Sequence, residues 1–454
     1  MTILVEGFDP DAKALARLLA SEGNTVRLAG PADEPSDAAD LRASGIQVEP
    51  QTDLDANPGS AEIAYLDVWT PEVAPRVQKL KAQGTRISCL GDLLLERWPG
   101  PTLGITGTAG KTTTTALTAS ILQADGRAIA VSQGARAGNL WPTADLLERL
   151  EYETATSDTL LILELTSSHL AFMHRSPTIA AVIAFWPDHL ELHGDLESYR
   201  AAKETIVRHQ RPTDIVVVNA DDSSAGFAER TPAHVHEFSL ARPIVNGAFV
   251  DADGVMIVTA RTGQRHKIGP LDPAIPHRAN VVAAAAIAAT AGADPTAIRQ
   301  AIGESVVLPF RAQRGGNLRG TPTVDDGMAA TPGKTQATLT DYRDGSILLI
   351  AGGRDDAGGG PVHASREEQA VLERACDEIA RACAIVVVFG DATARLAPLL
   401  RERLVDLRVA TDLREAVSMA ATLASGLGAV IFSPMFPLSL DERSAFAHLV
   451  DEAP

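Results

Sequence analysis

The chain has 454 residues, 45% hydrophobic and 22% charged, the composition of a globular enzyme-sized protein with room for about two to four domains. Its net charge of −18 argues against a nucleic-acid partner, because a phosphate backbone needs a basic surface; any anionic substrate must then meet a local positive site. No apolar run approaches the roughly 20 residues of a membrane span, the N-terminus lacks a signal-peptide layout, and the three cysteines have no metal-ligand spacing, so a cytoplasmic protein is expected.

From the N-terminus, ILVEGF, TVRLAG, EIAYLDVW and TRISCLG read as strands, with helices such as Asp11 to Glu22 and Glu72 to Gln83 between them. This alternation predicts a small open parallel sheet. Trp98, Pro99, Gly100 and Pro101 then read as a linker, which makes residues 1–98 a Rossmann-like domain. Thr102 to Thr106 follow as the end of a buried strand, and Thr112 to Asp125 as a helix with Ala116, Leu117, Ile121 and Leu122 on one face. The turn between them, GTAGKT, aims successive backbone N–H groups at one spot, and the helix N-terminus adds partial positive charge. Polyphosphate fits such a turn. Gly107, Thr108, Gly110, Lys111, Thr112 and Thr113 are the expected cradle, with Lys111 reaching the β/γ-phosphates and the Thr112 hydroxyl binding Mg²⁺. The general pattern has glycine where this chain has Ile105, which implies a tighter loop.

The strand TLLILEL carries Glu164 at its carboxyl edge, where open α/β sheets bind ligands and where a carboxylate can share a Mg²⁺ with Thr112. The strand AAVIAF leads to Asp188 and His189, and a helix from Glu197 to His209 holds Lys203 in mid-course. Taken alone, neither His189 nor Lys203 stands out from a surface residue. After the strand DIVVVNADD, residues 233–270 show short alternating runs that predict a small antiparallel insertion, and an alanine-rich helix from Asn280 to Ala291 returns to the core. Residues 99–305 are thus expected to form a central ATPase domain. Residues 306–454, with the strands TPTVDD, SILLIAGG, AIVVVFG and AVIFSP, are expected to form a second Rossmann-like domain, in which Cys376 and Cys383 share a helix face.

Read together, GTAGKTTTT, ELTSSHL, PDHLELHG…YRAAK, NVVAAAAIA, LPFRAQ and GDLLLE resemble the Mur ligases over nearly the whole chain and in the family's order. Among them the D-glutamate-adding branch looks closest, through VDDGMAATPGKT and SPMFPLSLD. The resemblance implies a three-domain α/β fold: a UDP-substrate-binding domain, a central P-loop ATPase and an amino-acid-binding domain. It implies an ATP-dependent amide ligase that joins glutamate to UDP-N-acetylmuramoyl-L-alanine through an acyl phosphate, acting as a monomer with two Mg²⁺ ions. Lys111, Thr112, Glu164 and His189 match the family positions that hold nucleotide and metal, and Lys203 matches its carbamylated lysine. Asn280, Arg311 and Asp326 match nucleotide contacts, Asn139 an acceptor contact, and Ser439 and Phe446 the residues that position glutamate.

The chain also departs from that pattern. Ala109 stands where the family has Asn, Pro276 and His277 replace its HN pair, and Met328 and Ala330 replace the Lys and Thr that grip the glutamate carboxylates. Asp356 replaces a further lysine, and Glu6, Asp9 and Asp11 lie where a diphosphate would come close. A changed acceptor such as L-glutamate, or a P-loop switch that drives a partner, are the alternatives these departures leave open; Lys334, Arg354 and Thr331 are candidates for compensation.

Overall fold

The computed structural model describes residues 1–31, 37–132, 139–152, 154–272, 277–303, 308–354 and 365–452. Asp356 and Pro276 lie outside these residues. Three sheets form the framework. The first comprises β1 (Thr2–Glu6), β2 (Thr25–Gly30), β3 (Gln47–Pro50), β4 (Ile63–Tyr65) and β5 (Arg86–Ser88), all parallel in the order β3-β2-β1-β4-β5. Strand β3 was not expected: QVEP is short and has no apolar alternation. The helix expected from Glu72 starts instead at Pro75, because Pro71 and Pro75 restrict the residues before them.

The second sheet comprises β6 (Thr102–Thr106), β7 (Ile129–Val131), β8 (Leu160–Glu164), β9 (Ile179–Val182), β10 (Ile215–Asn219), β11 (His234–Ser239), β12 (Gly247–Val250), β13 (Val255–Thr259) and β14 (Arg265–Pro270). Their order is β14-β13-β12-β11-β10-β9-β6-β8-β7. Every residue of β6 and β8 is buried, as expected of strands covered on both faces. Residues 233–270 are antiparallel only from β12 onward; β11 and β12 extend the central sheet in parallel. The helix Arg278–Thr290 is buried on all sides from Val281 to Thr290, and its alanines let neighbouring backbones come close.

The third sheet comprises β15 (Gln313–Leu318), β16 (Thr321–Asp325), β17 (Ile347–Gly352), β18 (Cys383–Phe389), β19 (Leu407–Ala410) and β20 (Ala429–Met435), in the order β15-β16-β20-β17-β18-β19. Cys376 lies on the helix Arg366–Ala382, but Cys383 begins β18, so the two do not share a helix face as expected. Both thiols are buried in one apolar cluster, and burial pushes both up, which makes them poor nucleophiles.

The contacts divide the chain into two compact units. One holds residues 1–185, 189–270 and 279–305, with the first and second sheets; the other holds residues 186–188, 271–278 and 306–454, with the third. Within the first unit a single apolar cluster runs from β1 through Trp98 to Phe227, so the first two sheets share a core. The expected linker is part of it, since Trp98 is buried and its Nε1 donates to the Thr159 carbonyl at 2.9 Å.

At the end of β16, Asp325 is buried and accepts from the Gly327 N–H at 3.0 Å. Burial, together with the neighbouring Asp326, pushes its carboxyl up to about 6. Because the folded value lies above the unfolded one of 3.8, the stability it contributes is present below that value and is lost as pH rises through about 6. Asp325→Asn keeps the hydrogen bond and removes the charge. It is expected to stabilise the protein by on the order of 1–3 kcal/mol at pH 7.5 and to flatten the fall between pH 4 and 7. Melting curves of both proteins across that range check this.

Candidate active site

The second sheet brings the carboxyl ends of β6, β8 and β9 side by side, with Ile105 opposite Glu164 and Thr106 opposite Val182. Ligands of open α/β sheets bind at such an edge. The loop after β6 opens the helix Lys111–Ala124, and Gly110 caps that helix with φ +79°, a left-handed conformation natural to glycine. A side chain at Gly110 would also press on Asn280, and one at Gly107 would meet Ile183 Cγ1 at 2.7 Å. The loop is held from beneath: the Thr108 N–H donates to the Ala184 carbonyl at 2.9 Å, and the Thr108 hydroxyl lies 3.0 Å from that of Tyr199. Two ammonium groups share one acceptor, Lys111 Nζ at 2.9 Å and Lys203 Nζ at 3.2 Å from the Gly107 carbonyl. Lys203 is 1% exposed, far more buried than lysines usually are, and its Nζ is also 3.4 Å from Thr106 Oγ1.

The Thr112 hydroxyl is the meeting point of three segments. Its Oγ1 is 3.0 Å from Glu164 Oε1 and 3.0 Å from Asn139 Oδ1, while the other carboxylate oxygen, Glu164 Oε2, accepts from the Leu140 N–H at 2.8 Å. One hydroxyl proton faces two acceptor oxygens at equal distance, and Glu164 is wholly buried. A hydroxyl, an amide oxygen and a carboxylate are hard donors of the kind Mg²⁺ takes. Among the described residues, no three His, Cys, Asp or Glu side chains gather as a metal-holding group. The donor set is therefore mixed in type.

The remaining expected residues lie as follows. Thr113 is half-buried in the first turn of the helix, next to Thr112. His189 caps the short helix Leu190–His193 with φ 54°, a strained backbone for a non-glycine residue, just after β9 and its loop. In the other unit, Arg311 lies between two left-handed residues, Phe310 and Ala312, and the N–H of the following residue, Ala312, donates to Asp326 Oδ1 at 3.1 Å. Asp326 Oδ2 accepts from Thr338 at 2.6 Å and Ser433 at 3.2 Å. His277 Nε2 stands 4.0 Å from Asp326 Oδ1. Burial pulls His277 down, but Asp326 and Asp341 outweigh it and its pKa is raised.

Ser439 caps the helix Leu440–Glu452 reciprocally, its hydroxyl donating to Glu442 Oε2 at 2.7 Å and accepting from the Glu442 N–H at 3.3 Å. Phe446 is buried and stacked on Phe432, ring centres 4.6 Å apart. In the first sheet the acidic residues are satisfied within the chain: buried Glu6 takes hydrogen bonds from Thr70 and Arg76, Asp9 caps the helix Pro10–Ser21, and Asp11 accepts from the Ala144 N–H at 2.7 Å. They border a cavity at the carboxyl edge of β1 and β4, beside Asp67, Trp141 and His169. Two residues of interest escaped the sequence reading. Tyr199 stands four before Lys203 and Arg443 four after Ser439, helical spacings that place each on its partner's face.

Comparison with known proteins gives the family. A UDP-N-acetylmuramoylalanine--D-glutamate ligase of Roseiflexus sp. (strain RS-1) is 33% identical, over 96% of this chain and 95% of that one. The chain belongs to the Mur ligase family. A second Mur ligase relative, the enzyme of the same name from Symbiobacterium thermophilum, is 32% identical over 82% of this chain and 79% of its own. The Mur ligase middle domain matches residues 105–290, the stretch that holds the loop, Glu164 and Lys203. Among solved structures, the Mur ligase MurC of Thermotoga maritima aligns over 100% of this chain and 99% of its own with a TM-score of 0.57 and 19% identity. MurF of the same organism, solved with ADP, aligns over 99% of this chain and 95% of its own with a TM-score of 0.59 and 16% identity. These likenesses establish the fold.

Proposed function

We propose that this Mur ligase joins D-glutamate to UDP-N-acetylmuramoyl-L-alanine at the expense of ATP, as the full-length relatives are named for doing. The observation that carries the reading is the meeting of Thr112, Glu164 and Asn139 beside the loop Gly107–Thr112. The acceptor carboxylate attacks the γ-phosphorus of ATP, ADP leaves, and an acyl phosphate forms. The amine of glutamate then adds to that carbonyl, the tetrahedral intermediate loses inorganic phosphate, and the amine proton leaves with solvent. Chemistry of this kind depends on positioning and charge neutralisation.

Each residue has a place in that scheme. Lys111 neutralises the β/γ-phosphates, and the backbone N–H groups of Gly107 to Thr113 cradle them. Thr112, Glu164, His189 and Lys203, the last as its carbamate, are the residues that would hold two Mg²⁺ ions; bound there, such ions offset the negative charge of the phosphoryl groups. We assign Asn280, Arg311 and Asp326 to the nucleotide, Asn139 to the acceptor, and Ser439 with Phe446 behind it to glutamate. The functional division is residues 1–98 for the UDP end of the acceptor, 99–305 for ATP and 306–454 for the amino acid, in a monomer of the cytoplasm. Among the described residues no helix is long and apolar enough to cross a membrane.

Hydroxylamine gives the test. With ATP, Mg²⁺ and UDP-N-acetylmuramoyl-L-alanine but no amino acid, it is expected to trap the acyl phosphate as a hydroxamate. ATP hydrolysis that ignores the acceptor and yields no hydroxamate would overturn the reading in favour of a P-loop switch.

A further inference from the structure

The loops that follow β16 and β20 lie side by side at the carboxyl edge of the third sheet, joined by the Met435 N–H donating to the Ala329 carbonyl at 3.0 Å. Here the family's carboxylate-gripping lysine is replaced by Met328 and its threonine by Ala330. A different cation reaches the spot. Arg443, in the first turns of the helix Leu440–Glu452, places Nη1 3.4 Å from Met328 Sδ, and its Nη2 donates to the Leu438 carbonyl at 3.2 Å. Its Nε is buried and, among the described residues, meets no acceptor.

Other arginines of the same unit are paired with carboxylates. Arg354 pairs with Glu442, Arg381 with Glu378 and Asp344, and Arg403 with Asp377. Among the described residues no carboxylate pairs with Arg443, and burial pushes its pKa down. A thioether is a weak acceptor. A half-buried guanidinium held by a thioether and one carbonyl therefore bears a desolvation penalty that only an anion would offset. The guanidinium also touches the side chain at 328, so the positive charge has moved from one contacting position to the other. Its forked donors suit a carboxylate.

We propose that Arg443 is the carboxylate-binding residue for the incoming amino acid, in place of the lysine lost at Met328. The assignment rests on the ligase reading above. Ser439, one helical turn earlier, lies on the same helix face, and the Glu442 carboxylate it holds pairs with Arg354, so Arg354 is engaged by an acidic side chain of the chain itself.

Steady-state kinetics of three variants test it. Arg443→Met is expected to raise the KM for glutamate about 30-fold, the loss of one charge-assisted pair, with the KM for ATP within about twofold of wild type. It should also erase the preference for glutamate over glutamine, which lacks the side-chain carboxylate. The double variant Met328→Lys/Arg443→Met, which returns the charge to the neighbouring position, should recover about tenfold of the loss, and Arg443→Lys should fall between. A glutamate KM unchanged in Arg443→Met overturns the assignment while leaving the ligase reading intact. So does a parallel loss for every substrate, with a lowered melting temperature and no recovery in the double variant, which would mark a structural role. Wild-type protein silent with both enantiomers of glutamate fails the ligase reading, and this assignment with it.

Discussion

Lys111→Ala is expected to lower turnover about a thousandfold or more while the fold survives. The side chain is partly exposed, and its bond to the Gly107 carbonyl at 2.9 Å is one that water can replace, so the loss of stability is expected to be about 1 kcal/mol. The role proposed for it on the phosphates has no such substitute. A phosphoryl group in transfer needs a fixed cation, because solvent would have to reorganise around the developing charge. The loop itself should persist in the variant, since Thr108 stays bound to Ala184 and Tyr199, and Lys203 still donates to Gly107. Turnover and a melting curve on the same preparation check both halves, and wild-type-like turnover would exclude the phosphate-cradle assignment.

The second large effect is expected at Lys203. An ammonium that is 1% exposed, in the company of a carbonyl and a threonine hydroxyl, is held against its preference for water. In the proposed scheme the amine, having lost a proton, would add to carbon dioxide and release a second proton, and the resulting carbamate would replace a buried cation with an anionic oxygen ligand. Lys203→Ala should therefore lose about a hundredfold to a thousandfold in turnover and recover part of it with formate or acetate, which supply the missing oxygens. No recovery at any concentration of short carboxylate would count against the carbamate role. Tyr199 supplies a control: its ring lies 5.0 Å from Lys203 Nζ and its hydroxyl 3.0 Å from Thr108. Tyr199→Phe should weaken loop ordering but gain nothing from carboxylates.

Local signals explain what was legible beforehand. The strand, glycine turn, Lys-Thr pair and apolar helix face around residues 102–124 are written in consecutive residues, and the structure reproduces them within a residue or so. Glu164 was legible for the same reason, standing at the end of an apolar strand. Short edge strands such as β3 and β19 carry little apolar alternation and passed unseen. The division of the chain was harder to foresee, because the apolar cluster joining the first two sheets draws on residues far apart in sequence, such as Ile3, Trp98 and Phe227. Arg443 shows the limit most plainly. Its interest lies in a contact with Met328 and in the missing carboxylate, and neither is a property of the sequence around it.

The most direct measurement is phosphate release from ATP and Mg²⁺ with UDP-N-acetylmuramoyl-L-alanine, run in parallel with D-glutamate, L-glutamate and no amino acid. Release that depends on D-glutamate, with equimolar dipeptide product, is the predicted result. Release that proceeds equally without amino acid, or none with either enantiomer, would contradict the account; a preference for L-glutamate would keep the ligase and overturn its stereochemistry.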